Sequence, residues 1–209
     1  MTELGLRERK KRQTRELISG TATVLFLRRG FDPVTVAEVA AAAGVSEKTV
    51  FNYFPRKEDL LLDRFPELID LVTTAVRERP PGATVPAAVR GLILSLFTSG
   101  HPLSGYTEQS HADFYRVVVG SPALQARVRE FLQELEDLLA ILFAEVEGVA
   151  PDSVRARFAA AVTVAAYRSV YLTAAARLLS GADFLEVRES LPAEYTTAFD
   201  AVERMLSSP

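Results

Sequence analysis

The chain of 209 residues contains no cysteine. That absence excludes a disulfide framework, a thiolate metal site and a cysteine nucleophile together. Histidine is nearly as scarce, with two residues, so a histidine-rich metal site and a serine-type triad both lack material. No G-x-S-x-G, G-x-G-x-x-G, P-loop or H-E-x-x-H pattern occurs. No catalytic residue, cofactor or metal is therefore expected, and the chain is not expected to be an enzyme. No apolar leader opens it: Met1-Thr2-Glu3-Leu4-Gly5-Leu6-Arg7 runs straight into charge, so no signal peptide is expected. No stretch reaches about 18 apolar residues uninterrupted by charge. No membrane partner is expected, and a cytoplasmic location follows as the expectation. Repeats, low-complexity tracts and sustained period-two alternation are also missing, which argues against strands.

What is present is apolar residues in quantity, 48% of the chain against 24% charged, enough for a sizeable core. Domain sizes of about 100–200 residues allow one or two domains. The formal net charge of −3 hides an asymmetry. From Arg7 to Lys57 there are 11 basic and five acidic residues, whereas from Phe65 onward there are 12 basic and 18 acidic. A basic N-terminal quarter on an acidic body suits a polyanionic partner; a charge cluster alone is more often a solvated helix face, and the helix signals below reverse that balance.

Glycine and proline break the chain at Gly30, Gly44, Pro55, Pro80-Pro81-Gly82, Gly100 to Gly105, Gly120-Ser121-Pro122, Gly148 to Pro151 and Gly181. Between the breaks apolar residues recur at spacings of three and four, the mark of helices. A first helix is expected over Arg7 to Arg29, with Leu17/Ile18, Thr21/Ala22 and Leu25/Phe26 on one face and Gly30 past its end. Thr35-Val36-Ala37-Glu38 has the form of a capping box and starts a short helix that ends near Ala43. Gly44 supplies a tight turn. Ser46 caps the next helix, Glu47 to Tyr53. Two short helices joined by a glycine-containing turn form a helix-turn-helix. Val39, Ala43, Val45, Val50 and Tyr53 would pack them together. Ser46, Glu47, Lys48, Thr49 and Asn52 are left on an outer face that is short, polar and hydrogen-bonding, as a helix entering a major groove needs.

Over Gly30 to Leu61, and above all in Ala43-Gly44-Val45-Ser46, Thr49, Tyr53-Phe54 and Lys57-Glu58, the sequence resembles the tetracycline-repressor (TetR) family of bacterial regulators. The resemblance is specific over about Arg12 to Leu62. It implies an all-α homodimer: residues 1–57 as a three-helix DNA-binding domain, and residues 58–209 as a helical ligand-binding and dimerisation domain. It also implies that a small effector releases the protein from DNA. Carried onto this chain, Thr35 contacts phosphate through its hydroxyl and amide, and Ser46, Lys48, Thr49 and Asn52 lie on the recognition helix. Tyr53 and Lys57 contact phosphate, the alternative for the Tyr53 ring being core. Glu47 either accepts from cytosine N4 or favours the positive helix end. Arg56 departs from the family, which places a capping residue there; the next helix loses a cap worth about 0.5–2 kcal/mol and could gain a phosphate contact. The basic run from Arg7 to Arg15, with Arg9 and Arg12, either tracks phosphates or aids solubility.

A fourth helix is expected from Arg56 to Arg79, kinked near Leu62–Phe65 by Pro66 in its interior, either as a hinge or as a static bend. Helices follow near Val85–Ser99, Tyr106–Val119, Pro122–Glu147 and Asp152–Ser180, and a short one over Ala182–Glu189 before a last helix over Pro192–Leu206. The helix Asp152–Ser180 is apolar on two faces. One holds Val154, Phe158, Val162, Ala165 and Leu172, and the other Val164, Tyr167, Tyr171, Ala174 and Leu178. A dimer interface of Phe158, Val162, Leu172, Tyr195, Phe199, Val202 and Leu206 is expected. Candidate pocket residues are Phe97, His111, Phe114, Phe143, Tyr167, Arg168 and Tyr171; the aromatics are also readable as core, His111 as a solvated or hydrogen-bonded histidine, and Arg168 as the partner of a glutamate or aspartate across the subunit interface. An amphipathic or acyl-type effector would suit them. The expected function is a ligand-responsive regulator, a repressor released from a pseudo-palindromic operator; the alternative is an activator or DNA-architectural protein with the same fold.

Overall fold

The computed structural model describes residues 5–104 and 111–207, without the side chains of Leu6 and His111. Among the described residues every regular element is helical. The order is α1 (Leu6–Arg29), α2 (Val36–Ala42), α3 (Glu47–Tyr53), a 3₁₀ turn (Glu58–Leu60), α4 (Phe65–Arg77) and α5 (Val85–Thr98). A second 3₁₀ turn (Pro102–Ser104) precedes α6 (His111–Gly120), α7 (Pro122–Glu147), α8 (Val154–Leu179) and α9 (Phe184–Ser207). Hydroxyls cap the starts of α2, α3, α5 and α8. Thr35 accepts from the Glu38 amide at 3.2 Å, Ser46 from Thr49 at 3.1 Å, Thr84 from Ala87 at 3.1 Å and Ser153 from Ala156 at 3.3 Å.

The chain divides into two compact units, Met1–Asp63 with Arg116–Arg127, and Arg64–Tyr115 with Val128–Pro209. The first unit therefore extends beyond residue 57. The apolar run Leu60-Leu61-Leu62 is buried there, and a later segment joins it. In this unit Ile18, Ala22 and Phe26 of α1 are buried together with Phe31, Val34, Val39, Val50 and Phe54. Leu17, on the same expected stripe, faces solvent.

The expected fourth helix is interrupted. Residues 61–64 are irregular, and α4 begins at Phe65 with Pro66 in its first turn. Proline there removes an amide that has no intrahelical partner, so it starts the helix instead of kinking it. The interior-proline bend expected from sequence is thus absent.

In the second unit α8 is the central helix. Ala156, Ala159, Ala160, Val164, Ala174 and Leu178 are buried on one side. Val154, Phe158 and Leu172 are exposed on the other, with Val162 half-buried. By length and composition α8 could cross a membrane; its buried side is the core of this unit. Arg90 of α5 reaches Asp200 and Glu203 of α9, the latter at 3.3 Å.

The C-terminal segment corrects two expectations. A single helix runs from Phe184 to Ser207 with Pro192 inside it, where two helices were expected. The Asp183 carboxylate accepts from the amides of Leu185 and Glu186 and caps its start. Its stripe Val187, Leu191, Tyr195, Phe199 and Val202 continues across the proline and is buried in the subunit's own core. Burial of five side chains outweighs one missing backbone bond. Tyr195, Phe199 and Val202 are therefore not available as a dimer seam, and Leu206 packs half-buried against the same core.

Phe199→Ala should accordingly lose about 3–5 kcal/mol of stability in a urea melt. A variant that kept its stability and lost only self-association would contradict this placement.

Candidate nucleic-acid interface and apolar cavity

The turn between α2 and α3 closes on backbone bonds. The Gly44 amide donates to Ala41 O at 3.2 Å and the Val45 amide to Ala40 O at 3.0 Å. Gly44 takes φ +67° there, a conformation cheap for glycine alone. Val39, Ala40, Ala43 and Val50 fill the space between the helices. Ser46, Glu47, Lys48 and Asn52 are exposed, and Thr49 is half-exposed. The Ser46 and Thr49 hydroxyls lie 2.8 Å apart and share a hydrogen bond. Phe51, absent from the sequence-derived set, is 48% exposed beside Lys48 and Asn52. The signal was its register: with Val50 facing the core, its neighbour three residues after Lys48 must face outward.

Behind this face two cations hold the backbone. Arg15 donates to Tyr53 O and Asp63 O, both at 2.9 Å, with its guanidinium 4.3 Å from the Phe54 ring centroid. It thereby satisfies a terminal carbonyl of α3. Sequence reading grouped Arg15 with the basic arm and missed this role. Lys57 Nζ donates to Phe31 O at 2.7 Å and Asp32 O at 3.3 Å, and sits 4.2 Å from the Phe31 ring centroid. Burial holds this ammonium below its ordinary pKa. Lys57, expected at a phosphate, is committed here to the turn after α1. Tyr53 is half-buried, in line with a partly structural ring.

Thr35 is exposed at the start of α2, and its amide and hydroxyl both donate to Glu38 Oε2, at 2.8 and 3.0 Å. Arg29 meets Glu38 Oε1 at 2.8 Å. These donors lower the Glu38 pKa from its ordinary 4.5 to about 2; the Thr35 amide is the largest cause, then Arg29. The carboxylate occupies the helix end where phosphate is expected. Arg9 and Arg12 are exposed on the first turns of α1, with Arg12 paired to Glu16 at 3.5 Å, and Arg56 is exposed.

The segment Arg116–Arg127 supplies two further ties within the first unit. Buried Ser121 donates to Asp32 Oδ1 at 2.8 Å, and Arg127 Nε donates to Asp59 Oδ1 at 3.0 Å. Nothing in local sequence pairs these residues, which lie 89 and 68 positions apart.

The second unit holds a small cavity of about 40 Å³. Its lining includes Leu68, Ile93, Phe97, Leu103, Ser104, Leu139, Thr163, Tyr167 and Tyr195. Of the expected pocket residues, Phe97 and Tyr167 line it. Tyr171 stacks on Tyr167 at 5.8 Å without lining it. Phe143 is buried core, Phe114 packs half-buried against Tyr115, and Arg168 is exposed away from the lining. The His111 side chain lies outside the described residues. Tyr195, expected at a dimer seam, is instead part of the wall. Among the described residues no group of three or more His, Asp or Glu could hold a metal ion.

A family model described as bacterial regulatory proteins, tetR family, matches residues 18–63. The chain is 34% identical over 170 residues to the HTH-type transcriptional regulator TcmR of Streptomyces glaucescens, covering 79% of this chain and 75% of that protein. It resembles the crystal structure of Thermus thermophilus FadR, a transcriptional repressor, in complex with lauroyl-CoA. That match has 25% identity and a TM-score of 0.53 over 90% of this chain and 93% of the other. A putative regulator from Mesorhizobium loti shares the fold at 15% identity and a TM-score of 0.52, with 90% and 96% covered.

Two measurements test the supports of the interface. The Glu38 pKa is depressed on folding, so its stabilisation is complete above about pH 4.5 and disappears as pH falls toward 2. The Tm advantage of the native chain over Glu38→Gln should therefore shrink across that window in thermal melts; an advantage independent of pH would contradict the bonding described. Lys57→Met should lower stability by about 1–3 kcal/mol and leave the salt slope of DNA binding unchanged. A flattened slope at unchanged stability would return Lys57 to the phosphates.

Proposed function

This chain belongs to the tetR family of bacterial regulatory proteins, and on that premise we propose that it is a ligand-responsive, DNA-binding repressor acting as a homodimer in the cytoplasm. The observation that carries this reading is the outer face of α3. It is short, polar and solvent-facing, with its own backbone satisfied from behind by Arg15 and its apolar side buried. A helix so presented can enter a major groove. Lys48 and Asn52 would read base edges, Glu47 could accept from cytosine, and exposed Phe51 would contact a thymine methyl. Thr35, Ser46, Thr49, Tyr53 and Arg56 would sit at phosphates, with Arg9 and Arg12 adding long-range attraction. A phosphate at Thr35 would displace the Glu38 carboxylate from the α2 end.

The dimer would form through the exposed face of α8. Phe158 and Leu172 are 49% and 55% exposed there, and apolar side chains left open on a central helix favour burial against a second copy. The cavity of the second unit would hold the effector. Helix α7 is continuous. Its first turns belong to the first unit through Arg127, and its Leu135 and Leu139 line the cavity. Effector binding that favours one position of α7 would bias the Arg127–Asp59 and Ser121–Asp32 ties, and DNA release requires such differential affinity.

Selection from a random duplex library with the purified full-length chain tests the proposal. The expected product is a pseudo-palindrome whose half-sites lie about 10 base pairs apart or a multiple of that. Recovery of no preferred duplex would overturn the reading. On the selected duplex Lys48→Ala should cost about 1–3 kcal/mol of discrimination at one position of each half-site. Equal losses on selected and random DNA would remove Lys48 from base reading.

A further inference from the structure

We propose that the solvent-facing side of α1 is a contact surface for α1 of a second copy, and that it joins two dimers seated side by side on one duplex. The inference rests on the DNA-binding reading and goes beyond it, to how copies on adjoining sites assist one another.

Glu16, Gly20, Val24 and Arg28 follow in steps of four and form one ridge along α1. Leu17 and Thr21 form the row beside it. Leu17 is 53% and Val24 49% exposed. With Gly20, Thr21 and Ala42 of α2 they line a shallow, open apolar groove on the first unit. The unit's own core takes the opposite side of α1, through Ile18, Ala22 and Phe26.

Gly20 sits in the helix interior, where glycine is weaker than alanine. Its backbone does not need glycine, because it is not among the positive-φ residues. Its surroundings do not need it either: a Cβ at Gly20 would meet nothing within 4 Å. The gap in the ridge therefore has no use inside the subunit, and it fits a body that approaches from outside.

The ridge is its own complement. Laid antiparallel about the midpoint, two copies set Val24 of each against the Gly20 gap of the other, and Glu16 of each against Arg28 of the other. Such a contact is isologous, the kind that pairs identical chains. Glu16 and Arg28 are both exposed. Glu16 meets Arg12 at 3.5 Å with both side chains 65% exposed, which leaves the carboxylate room for a second cation. A parallel mate would place like charge on like, so the charges fix the antiparallel sense.

The size of the surface decides where it acts. Two half-exposed apolar side chains per copy fall well short of the roughly 1,200 Å² that a stable interface buries. The contact is therefore too small to hold copies together in free solution. It works where a duplex already holds two of them at high effective concentration. The groove and the outer face of α3 belong to the same unit, so every copy seated on DNA brings the groove to its neighbour.

Filter binding of the full-length protein to duplexes carrying one selected operator, or two in tandem at spacings stepped by one base pair, tests this. At a preferred spacing the second dimer should bind at least about fivefold more tightly than the first. Gly20→Leu and Val24→Gln should abolish that gain, with native affinity for the single operator and a Tm no lower than native. Glu16→Arg and Arg28→Glu should each reduce the gain, and the two together, which restore both pairs, should return it. Three results would overturn the contact and leave the regulator: no gain at any spacing, a gain indifferent to Gly20→Leu and Val24→Gln, or a double reversal no better than either single one. A native chain that binds no duplex would remove the regulator and this contact with it.

Discussion

Arg15 is the contact on which the outer face of α3 depends. A helix of seven residues cannot hold itself in water, because its unsatisfied terminal groups outnumber its internal bonds. At one end Ser46 caps it, and at the other the Arg15 guanidinium takes the Tyr53 carbonyl while covering the Phe54 ring. The same guanidinium takes the Asp63 carbonyl, and so ties α1, α3 and the segment before α4 with one side chain. Lys57 does the matching work at the turn after α1. With the backbone satisfied by Ser46 and Arg15, the exposed side chains of Lys48, Phe51 and Asn52 carry little structural duty.

Basic residues in the first unit thus fall into two groups that composition cannot separate. Arg15 and Lys57 are part-buried donors to carbonyls, whereas Arg9, Arg12, Lys48 and Arg56 face solvent. The local excess of positive charge overstates what a polyanion would meet. Solvent-facing cations attract phosphates over a Debye length; buried ones hold the fold that presents them.

The second unit shows a comparable division on α8. Its small buried residues, Ala156, Ala159, Ala160 and Ala174, let neighbouring helices approach closely. Larger side chains stand on the open face, where Phe158 and Leu172 are exposed. Close approach on one side accompanies a small cavity walled in part by the larger Tyr167 and Tyr195.

Local chemistry in the sequence was enough to determine the starts of α2, α3 and α5, the Thr35–Glu38 capping box, the Gly44 turn, the exposure of Lys48 and Asn52, and the bounds of α7. Each depends on residues within four positions of one another, so spacing and side-chain type suffice. Tertiary structure decided the rest. Pro66 opened α4 instead of bending it, Pro192 was carried inside α9 by the stripe from Val187 to Val202, and Tyr195 became wall and core in place of dimer seam. The ties Ser121–Asp32 and Arg127–Asp59, and the commitment of Arg15 and Lys57 to carbonyls, join positions 25 to 89 residues apart. An apolar stripe states that it will be buried and leaves open against what; a cation states that it needs an acceptor and leaves open which one. Those choices are made when distant segments pack, because the free energy of burial and of pairing depends on the neighbour and is blind to separation along the chain.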